Sequence, residues 1–321
     1  MDFSVDIGNL DQQRTGCVVV GVYEGRTLSP SAMELDAASR HAVGDVLKRG
    51  DLEGELGATL LLHQVPDVAC ERVLLVGLGP AAGFGEGSYR TALSSAVDRL
   101  RTTGATQATI CLNELPVNGR DGAWKIEQAV LAVTEGLYRF DALKSKPPPQ
   151  ARRVLKQVAL HLANRSELSA GQAAVERAVA IGAGITLARD LGNMPGNLCT
   201  PAYLADRARE LGAAHGFQVQ ILEQADLEQL GMNAFLAVAR GSRQPPRLIV
   251  MEHHGGPRGA QPVVLVGKGI TFDAGGISIK PAFELDEMKF DMCGAASVFG
   301  AMRAAALMQL PLNVVGIVPA T

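Results

Sequence analysis

Two lysines and two aspartates near the end of the chain are the residues best suited to chemistry. Lys268, Asp273 and Lys280 lie in a glycine-rich segment after an apolar run, and Asp291 stands just before an alanine-rich segment. Charges in apolar surroundings are costly unless they are paired or bound to an ion. Carboxylates with few histidines nearby suit a hard or borderline divalent metal. The irregular spacing fits no single helix face, so we expect a loop and a helix start to bring these four residues together.

Two simpler interpretations compete with a metal site. The glycine-rich segment resembles a phosphate-binding loop, but Gly269 stands where that motif needs Ser or Thr, and Pro262 occupies the place of its first glycine. Asp291 taken alone is the type of residue that caps a helix. The first alternative fails on these details, whereas the capping role stays open.

The elements that must position these residues alternate along the chain. Short β-branched runs bounded by turn residues predict buried strands, and amphipathic segments with starts at Ser29-Pro30 and Thr200-Pro201 predict helices. This alternation is typical of α/β domains with a mixed, mostly parallel sheet flanked by helices. The predicted strands are residues 17–23, 59–63, 72–77, 108–112, 153–162, 218–222, 247–252, 262–266 and 312–318, and the predicted helices are residues 29–48, 88–101, 126–140, 169–191, 202–215 and 294–310.

The length of 321 residues is enough for two domains. Residues 143–153 combine lysines, three consecutive prolines and two arginines, and they predict a linker. We therefore expect an N-terminal α/β domain over residues 1–150 and a C-terminal catalytic domain over residues 151–321. The second domain ends on a strand without a later covering element, so we expect it to be truncated.

Composition and charge limit the classes of partner. Thirty basic against thirty-three acidic residues give a net charge of −3, which offers no bulk attraction to nucleic acid or an anionic membrane. The five cysteines are an odd number without a Cys-x-x-Cys pair, which indicates a reducing compartment. The first residues lack a basic segment followed by an apolar one, and about eighteen uninterrupted apolar residues occur nowhere, so we expect neither secretion nor a membrane span. A cytoplasmic protein with no membrane association is expected.

Three weaker motifs have ordinary explanations. The run from Gly77 to Ala82, with Asp98 further on, fits a degenerate dinucleotide fingerprint, but such runs are usually tight strand-to-helix turns. His253-His254 lacks a third ligand at matching spacing, which favours a polar strand end. Trp124 and the basic cluster at 144–153 are too few for a nucleic-acid surface.

The segment VGKGITFDAGGISIKP followed by MKFDMCGAASVFGAM closely resembles the leucyl aminopeptidase (cytosol aminopeptidase) family of dinuclear metallopeptidases. The resemblance extends to residues 188–201 and more weakly to residues 231–242. It implies release of N-terminal, preferably leucine-like, amino acids from peptides. It also implies a macro-domain-like N-terminal domain that assists assembly, a catalytic C-terminal domain and a homo-oligomer, a hexamer.

The same resemblance assigns residue roles. It implies that Lys268, Asp273 and Asp291 hold one metal and that Asp273 bridges to a second. A lysine can ligate only as the neutral amine, whereas Lys280 matches the catalytic lysine, which stays cationic and polarises the scissile carbonyl. Met288 matches a residue of the side-chain pocket, so substrate would contact Met288, Lys280, Asp273 and Asp291. Two divalent ions are implied, manganese or zinc first, with magnesium and cobalt as alternatives.

One departure from the family leaves other functions open. Family members continue into an Asn-Thr-Asp-Ala-Glu-Gly-Arg motif, which supplies two more carboxylates and an arginine that holds bicarbonate; these 321 residues do not contain it. Bicarbonate is expected only together with that motif. The alternatives are a DNA-binding accessory role, known among bacterial members but little supported by the net charge, and an inactive fragment or pseudoenzyme.

Overall fold

A computed structural model describes residues 1–146 and 155–321. These residues form two compact units, Met1–Val179 and Ala180–Thr321. The predicted boundary after residue 150 and most of the predicted linker at 143–153 lie outside the described residues. The observed division falls later than predicted because residues 157–161 join the first sheet and not the second.

The first unit contains one sheet with helices between its strands. Its strands are β1 (Asp2–Asp6), β2 (Val18–Tyr23), β3 (Thr27–Leu28), β4 (Thr59–His63), β5 (Arg72–Gly77), β6 (Gln107–Ile110) and β7 (Gln157–His161). Its helices are α1 (Pro30–Ala38), α2 (Ala42–Lys48), α3 (Glu86–Leu100) and α4 (Gly122–Gly136), and α5 (Leu168–Asn193) begins in this unit and ends in the second.

The strand order of this sheet is β1-β7-β6-β2-β5-β4, with β3 paired to β2. All neighbouring strands from β1 to β5 in this order pair in parallel. By contrast, β4 pairs antiparallel with β5, and β3 pairs antiparallel with β2. The central strand β2 is buried along its whole length, as expected for a parallel strand covered on both faces. Val19 packs into one apolar cluster with α3 and α4, and Val18 packs into another with α1 and α2.

The second unit contains a smaller sheet. Its strands are β8 (Gln218–Leu222), β9 (Arg247–His254), β10 (Val263–Val266) and β11 (Asn313–Ala320), in the order β10-β11-β9-β8. Its helices after α5 are α6 (Pro201–His215), α7 (Gln224–Gln229), α8 (Asn233–Ala239) and α9 (Cys293–Leu307). β10 and β11 are parallel, whereas β11 with β9 and β9 with β8 are antiparallel. The predicted mostly parallel pairing therefore holds for the first sheet, and the second sheet is mixed.

The core of the second unit lies between the sheet and the helices α6 and α9. Along β11 every second residue is buried, and Val314 and Val318 contact the same apolar cluster as Phe299 of α9 and Leu204 of α6. Thr200 caps α6 through a hydrogen bond from the Tyr203 amide at 3.2 Å, which confirms the predicted helix start. The sheet and α9 together position the residues singled out in the sequence.

One predicted helix is divided in two. Residues 29–48 form α1 and α2, because Arg40 and His41 adopt positive φ of 56° and 64° and break the helical ladder. Strand β1 and the short helices α7 and α8 were not predicted. The predicted strand at 153–162 begins in the structure at Gln157, and its first two residues lie outside the described range.

Candidate functional site

The lysine-bearing loop begins where β10 ends, and hydrogen bonds to β11 and to Thr321, the residue after β11, hold it on both sides of Lys268. The Gly267 amide donates to the Ile317 carbonyl at 2.9 Å. The amide and the hydroxyl of Thr271 both donate to the Thr321 carbonyl, at 2.9 and 3.0 Å. Lys268 therefore lies between two backbone segments fixed to the neighbouring strand.

The first turn of α9 fixes the same segment from another side. The Ala295 amide donates to the Lys268 carbonyl at 2.8 Å. A Cβ added to Gly267 would overlap the carbonyl oxygen of Gly294, and a Cβ on Gly294 would lie 2.9 Å from the Lys268 amide nitrogen. Glycine at both positions lets the strand end reach the helix start.

Lys268 and Asp291 form the first charged pair. Lys268 Nζ lies 3.3 Å from Asp291 Oδ1. Asp291 belongs to a 3-10 helix, Leu285–Met292, that runs directly into α9. The N-cap residue of α9 is Met292, and no side chain caps this helix, so the capping role for Asp291 is not what the structure shows. Its second oxygen, Oδ2, is buried and has no hydrogen-bond partner in the described part of the chain.

Asp273 and Lys280 form the second charged pair, and a short loop closes between them. Lys280 Nζ donates to Asp273 Oδ2 at 2.9 Å and approaches Met288 Sδ at 3.1 Å. The Gly275 amide donates to Asp273 Oδ1 at 2.8 Å, and the Lys280 amide donates to the Ala274 carbonyl at 3.0 Å. Both carboxylate oxygens of Asp273 are thus held by donors of its own loop.

The two pairs share one electrostatic environment. Hydrogen bonds from Lys280 and then from the Gly275 amide hold the pKa of Asp273 below its ordinary value, and the positive charges of Lys280 and Lys268 act in the same direction. The loop and the helix start therefore bring Lys268, Asp273, Lys280 and Asp291 into one neighbourhood, as their types and spacing predict.

The surroundings of these charges are more open than the sequence suggests. The Lys268 side chain is 56% exposed, and those of Asp273 and Lys280 are 37% and 36% exposed; Asp291 is the most buried, at 19%. The prediction of a buried apolar setting thus fits Asp291 and not Lys268. The apolar run before Lys268 suggests burial, but in the described residues Val264 and Val266 of β10 are themselves exposed.

The donor set fits a divalent cation in part. Asp291 Oδ2 is a buried acceptor without a partner, and oxygen ligands suit hard or borderline dications. Across the described ranges, 1–146 and 155–321, no group of three His, Cys, Asp or Glu residues is placed to hold a metal. This part of the chain therefore offers two carboxylates and an amine, which is a partial ligand set.

Sequence reasoning missed the backbone residues that hold this arrangement. Gly275, with a φ of 95°, lies where a Cβ would overlap the Ser278 carbonyl oxygen and lie 2.8 Å from the Lys280 amide nitrogen. Gly267 and Gly294 permit the contact between strand and helix. The glycine-rich pattern was the available signal, but glycines that permit turns and glycines that permit close approach look alike in a sequence.

The weaker motifs take their ordinary roles. His253 and His254 are the last two residues of β9. His253 Nε2 lies 3.0 Å from the Leu310 carbonyl oxygen, and His254 Nε2 lies 3.2 Å from Glu252 Oε2. The run after Gly77 forms the turn between β5 and α3, with Gly79 at a φ of 75°. Asp98, the proposed ribose ligand, pairs with Arg101 at 3.1 Å on the surface of α3.

Comparison with known families identifies the relationship. The profile of the cytosol aminopeptidase family, catalytic domain, matches residues 186–321, and the profile of the N-terminal domain of the same family matches residues 19–147. The chain belongs to the cytosol aminopeptidase family. It is 52% identical over its whole length to a probable cytosol aminopeptidase of Thioalkalivibrio sulfidiphilus, and 50% identical over 99% of its length to that of Methylobacillus flagellatus. The chain spans 64% of the length of both relatives.

Two solved structures resemble the fold of this chain. The bottromycin maturation enzyme BotP in complex with Mn is 30% identical, with a TM-score of 0.76 over 96% of this chain and 59% of the other. A mutant of tomato leucine aminopeptidase, at 24% identity, shares the fold, with a TM-score of 0.79 over the whole chain and 62% of the other. No helix among the described residues is long and apolar enough to cross a membrane.

Proposed function

We propose that this chain carries part of the active site of a metal-dependent aminopeptidase, which releases N-terminal, preferably leucine-like, amino acids from peptides. The observation that carries this proposal is the joint placement of the Lys268–Asp291 and Asp273–Lys280 pairs at the junction of β10, its loop and α9. Family membership and the aminopeptidase names of the relatives support it.

Lys268, Asp273 and Asp291 would hold the metal ions. Asp291 Oδ2 is the acceptor already free to take a cation. Each oxygen of Asp273 already accepts one hydrogen bond and would offer a metal its remaining lone pair. When bound, two divalent ions would supply an activated water and Lewis acidity. Manganese is the first choice because the related BotP structure contains Mn; zinc, magnesium and cobalt stay alternatives.

The ammonium group of Lys280 would act on the substrate carbonyl. In the structure this group donates to Asp273 and lies against the Met288 sulfur, and these two contacts fix its position beside the loop. A fixed cation at this position would stabilise the negative charge that develops on the carbonyl oxygen. The carboxylates of Asp273 and Asp291 would bind the peptide N-terminus, and the Met288 thioether would contact a leucine-like side chain.

Metal binding is the first test, because Lys268, Asp273 and Asp291, the three ligands assigned to this chain, can each be changed in it. Mn²⁺ would be titrated by calorimetry into the 321-residue chain and into Asp273→Ala, Asp291→Ala and the control Asp286→Ala, which changes an acidic residue of the same 3-10 helix. We expect the first two changes to weaken binding about tenfold or more and the control to leave it unchanged. Equal Mn²⁺ affinity in all four proteins would overturn the proposal.

Hydrolysis of a leucine anilide, with and without a chelator, tests the reaction itself. A chelator-sensitive rate that falls in Lys280→Ala while Mn²⁺ binding persists would support the role of Lys280. A rate that is unchanged in both Lys280→Ala and Asp273→Ala would remove the aminopeptidase assignment. The hexamer implied by the family resemblance is tested separately, by mass photometry of the same chain.

A further inference from the structure

A polar cavity of about 490 Å³, open to solvent and lined largely by exposed side chains, lies in the second unit between α7, α8 and the loop that leads into β9. Its lining includes Arg240, Arg243, Asn233, Gln244 and Glu228. None of these residues belongs to the loop or the helix start that carries Lys268, Asp273, Lys280 and Asp291. A cavity of this size is in the range that takes a small organic molecule.

The two arginines of this cavity lack a carboxylate partner. Within the described part of the chain, no Asp or Glu oxygen lies within 4.0 Å of either Arg240 or Arg243. Glu228, the acidic residue of the lining, instead accepts a hydrogen bond from Gln224 at 2.9 Å. The next arginine along the chain, Arg247, does have a partner, since it lies 3.5 Å from Glu223.

The neutral polar groups of the cavity also offer donors. The side-chain amides of Asn233 and Gln244 have no hydrogen-bond partner among the described residues. The Ser242 hydroxyl oxygen accepts from the backbone amide of Gln244 at 3.0 Å, which leaves the hydroxyl proton of Ser242 to donate. The lining thus combines two cations with three further donors and one carboxylate that is already hydrogen-bonded.

We propose that this cavity binds a small molecule through an oxyanion, a phosphate or a carboxylate group, held by Arg240 and Arg243. The guanidinium group suits this role because its planar set of donors matches both kinds of oxyanion in a bidentate manner. Asn233, Ser242 and Gln244 would bind the remaining oxygens or a neutral polar part of the ligand. This proposal is independent of the aminopeptidase function, since it uses none of the same residues.

The test is calorimetric titration of the metal-free, full 321-residue chain at low ionic strength. Sodium pyrophosphate and sodium citrate serve as probes, each compared with sodium chloride at matched ionic strength, and they distinguish a phosphate from a carboxylate ligand. Two double variants are compared with the unchanged chain. The double alanine variant combines Arg240→Ala with Arg243→Ala, and the double lysine variant combines Arg240→Lys with Arg243→Lys. The control is Arg258→Ala, which removes an exposed arginine of the same unit that does not line the cavity.

We expect saturable binding of at least one probe near one per chain. The double alanine variant should weaken it about tenfold or more, the double lysine variant should weaken it less, and the control should leave it unchanged. Equal weakening in Arg258→Ala and in the double alanine variant would mean general charge attraction and would overturn the proposal. Absence of saturable binding of either probe would also overturn it.

Discussion

Asp273 shows how the backbone of a loop determines the position of a charged side chain. One of its carboxylate oxygens accepts from the Gly275 amide and the other from the Lys280 ammonium group. The loop between these two donors is closed by a hydrogen bond from the Lys280 amide to the Ala274 carbonyl. The position of the Lys280 ammonium thus depends on a turn that a side chain at Gly275 would obstruct.

Gly275→Ala should therefore disturb the loop more than a change at the next glycine. Gly276 also has positive φ, 71°, but has no atom within 4 Å of an added Cβ, so Gly276→Ala should cost about 1 to 2 kcal/mol from backbone strain alone. Gly275→Ala should cost about 1 to 3 kcal/mol more, because of the overlap with Ser278. Urea unfolding of both variants measures the difference, and equal losses would contradict this account.

His215 at the end of α6 gives a pH-dependent prediction. Burial, and then the positive charge of Arg303, lower its pKa below 6.5. The folded protein takes up this proton less readily than the unfolded chain, so the free energy of unfolding should fall as the pH drops below about 6.5 and level off below the folded pKa. His215→Gln should remove this part of the pH dependence, measured by urea unfolding between pH 5 and 8. The exposed His254→Gln is the control, and a curve unchanged by His215→Gln would contradict the prediction.

The residues of the candidate site could be read from the sequence, but their environment could not. The types and spacing of Lys268, Asp273 and Asp291 predict their convergence, which the structure shows. The exposure of Lys268 and the orphaned oxygen of Asp291 depend on what packs over the loop, and a local pattern holds no information about that.

The contact between the end of β10 and the start of α9 is the structural element that brings the charged pairs together. Gly267 and Gly294 allow this contact, and the Ala295 amide bonds to the Lys268 carbonyl across it. A change that separates the two elements should therefore affect both stability and the Lys268–Asp291 pair.

Gly267→Ala should push the strand end away from α9. We expect a loss of about 1 to 3 kcal/mol in the free energy of unfolding, together with weaker Mn²⁺ binding. The control is Gly241→Ala, a loop glycine of the same unit with open space around an added Cβ. Urea unfolding and calorimetry measure the two effects. If Gly267→Ala matched Gly241→Ala in both, the contact would not position the site.

Element prediction succeeded where apolar pattern and end signals agreed. The valine run of β2 and the starts at Ser29-Pro30 and Thr200-Pro201 were each predicted within a residue. The division between α1 and α2 was missed because Arg40 and His41 take left-handed conformations without a glycine or proline to signal them. The strand β1, with the sequence DFSVD, was too short and too polar to stand out before its pairing with β7 was known.

The five cysteines of the chain are free thiols in different surroundings. Four are buried, and burial raises the pKa of Cys17 to about 12 and that of Cys199 to about 11. Cys293, at the first position of α9, is partly exposed. These four thiols therefore pack as small apolar side chains.

Thiol labelling of the native chain should show one fast phase of about one thiol. Burial raises the pKa of Cys293 as well, but Cys293 should react first because its side chain is partly exposed, whereas the other four thiols are buried and inaccessible. Cys293→Ser should remove the fast phase, whereas Cys70→Ser should leave it. Labelling with Ellman's reagent, followed by peptide mass analysis, measures this. A fast phase that persists in Cys293→Ser would show that another thiol is open.

The parallel pairing of β10 with β11 also affects the order of events during folding. Thr271 donates hydrogen bonds to Thr321, and Gly267 donates one to Ile317, so the two residues of each pair are about fifty positions apart in the chain. Closing such a separation is slow compared with forming a local helix. During synthesis the lysine-bearing loop therefore lacks its bonds to β11 until that strand has left the ribosome, even if the contact with α9 has already formed, and the candidate site should be among the last parts of the second unit to become ordered.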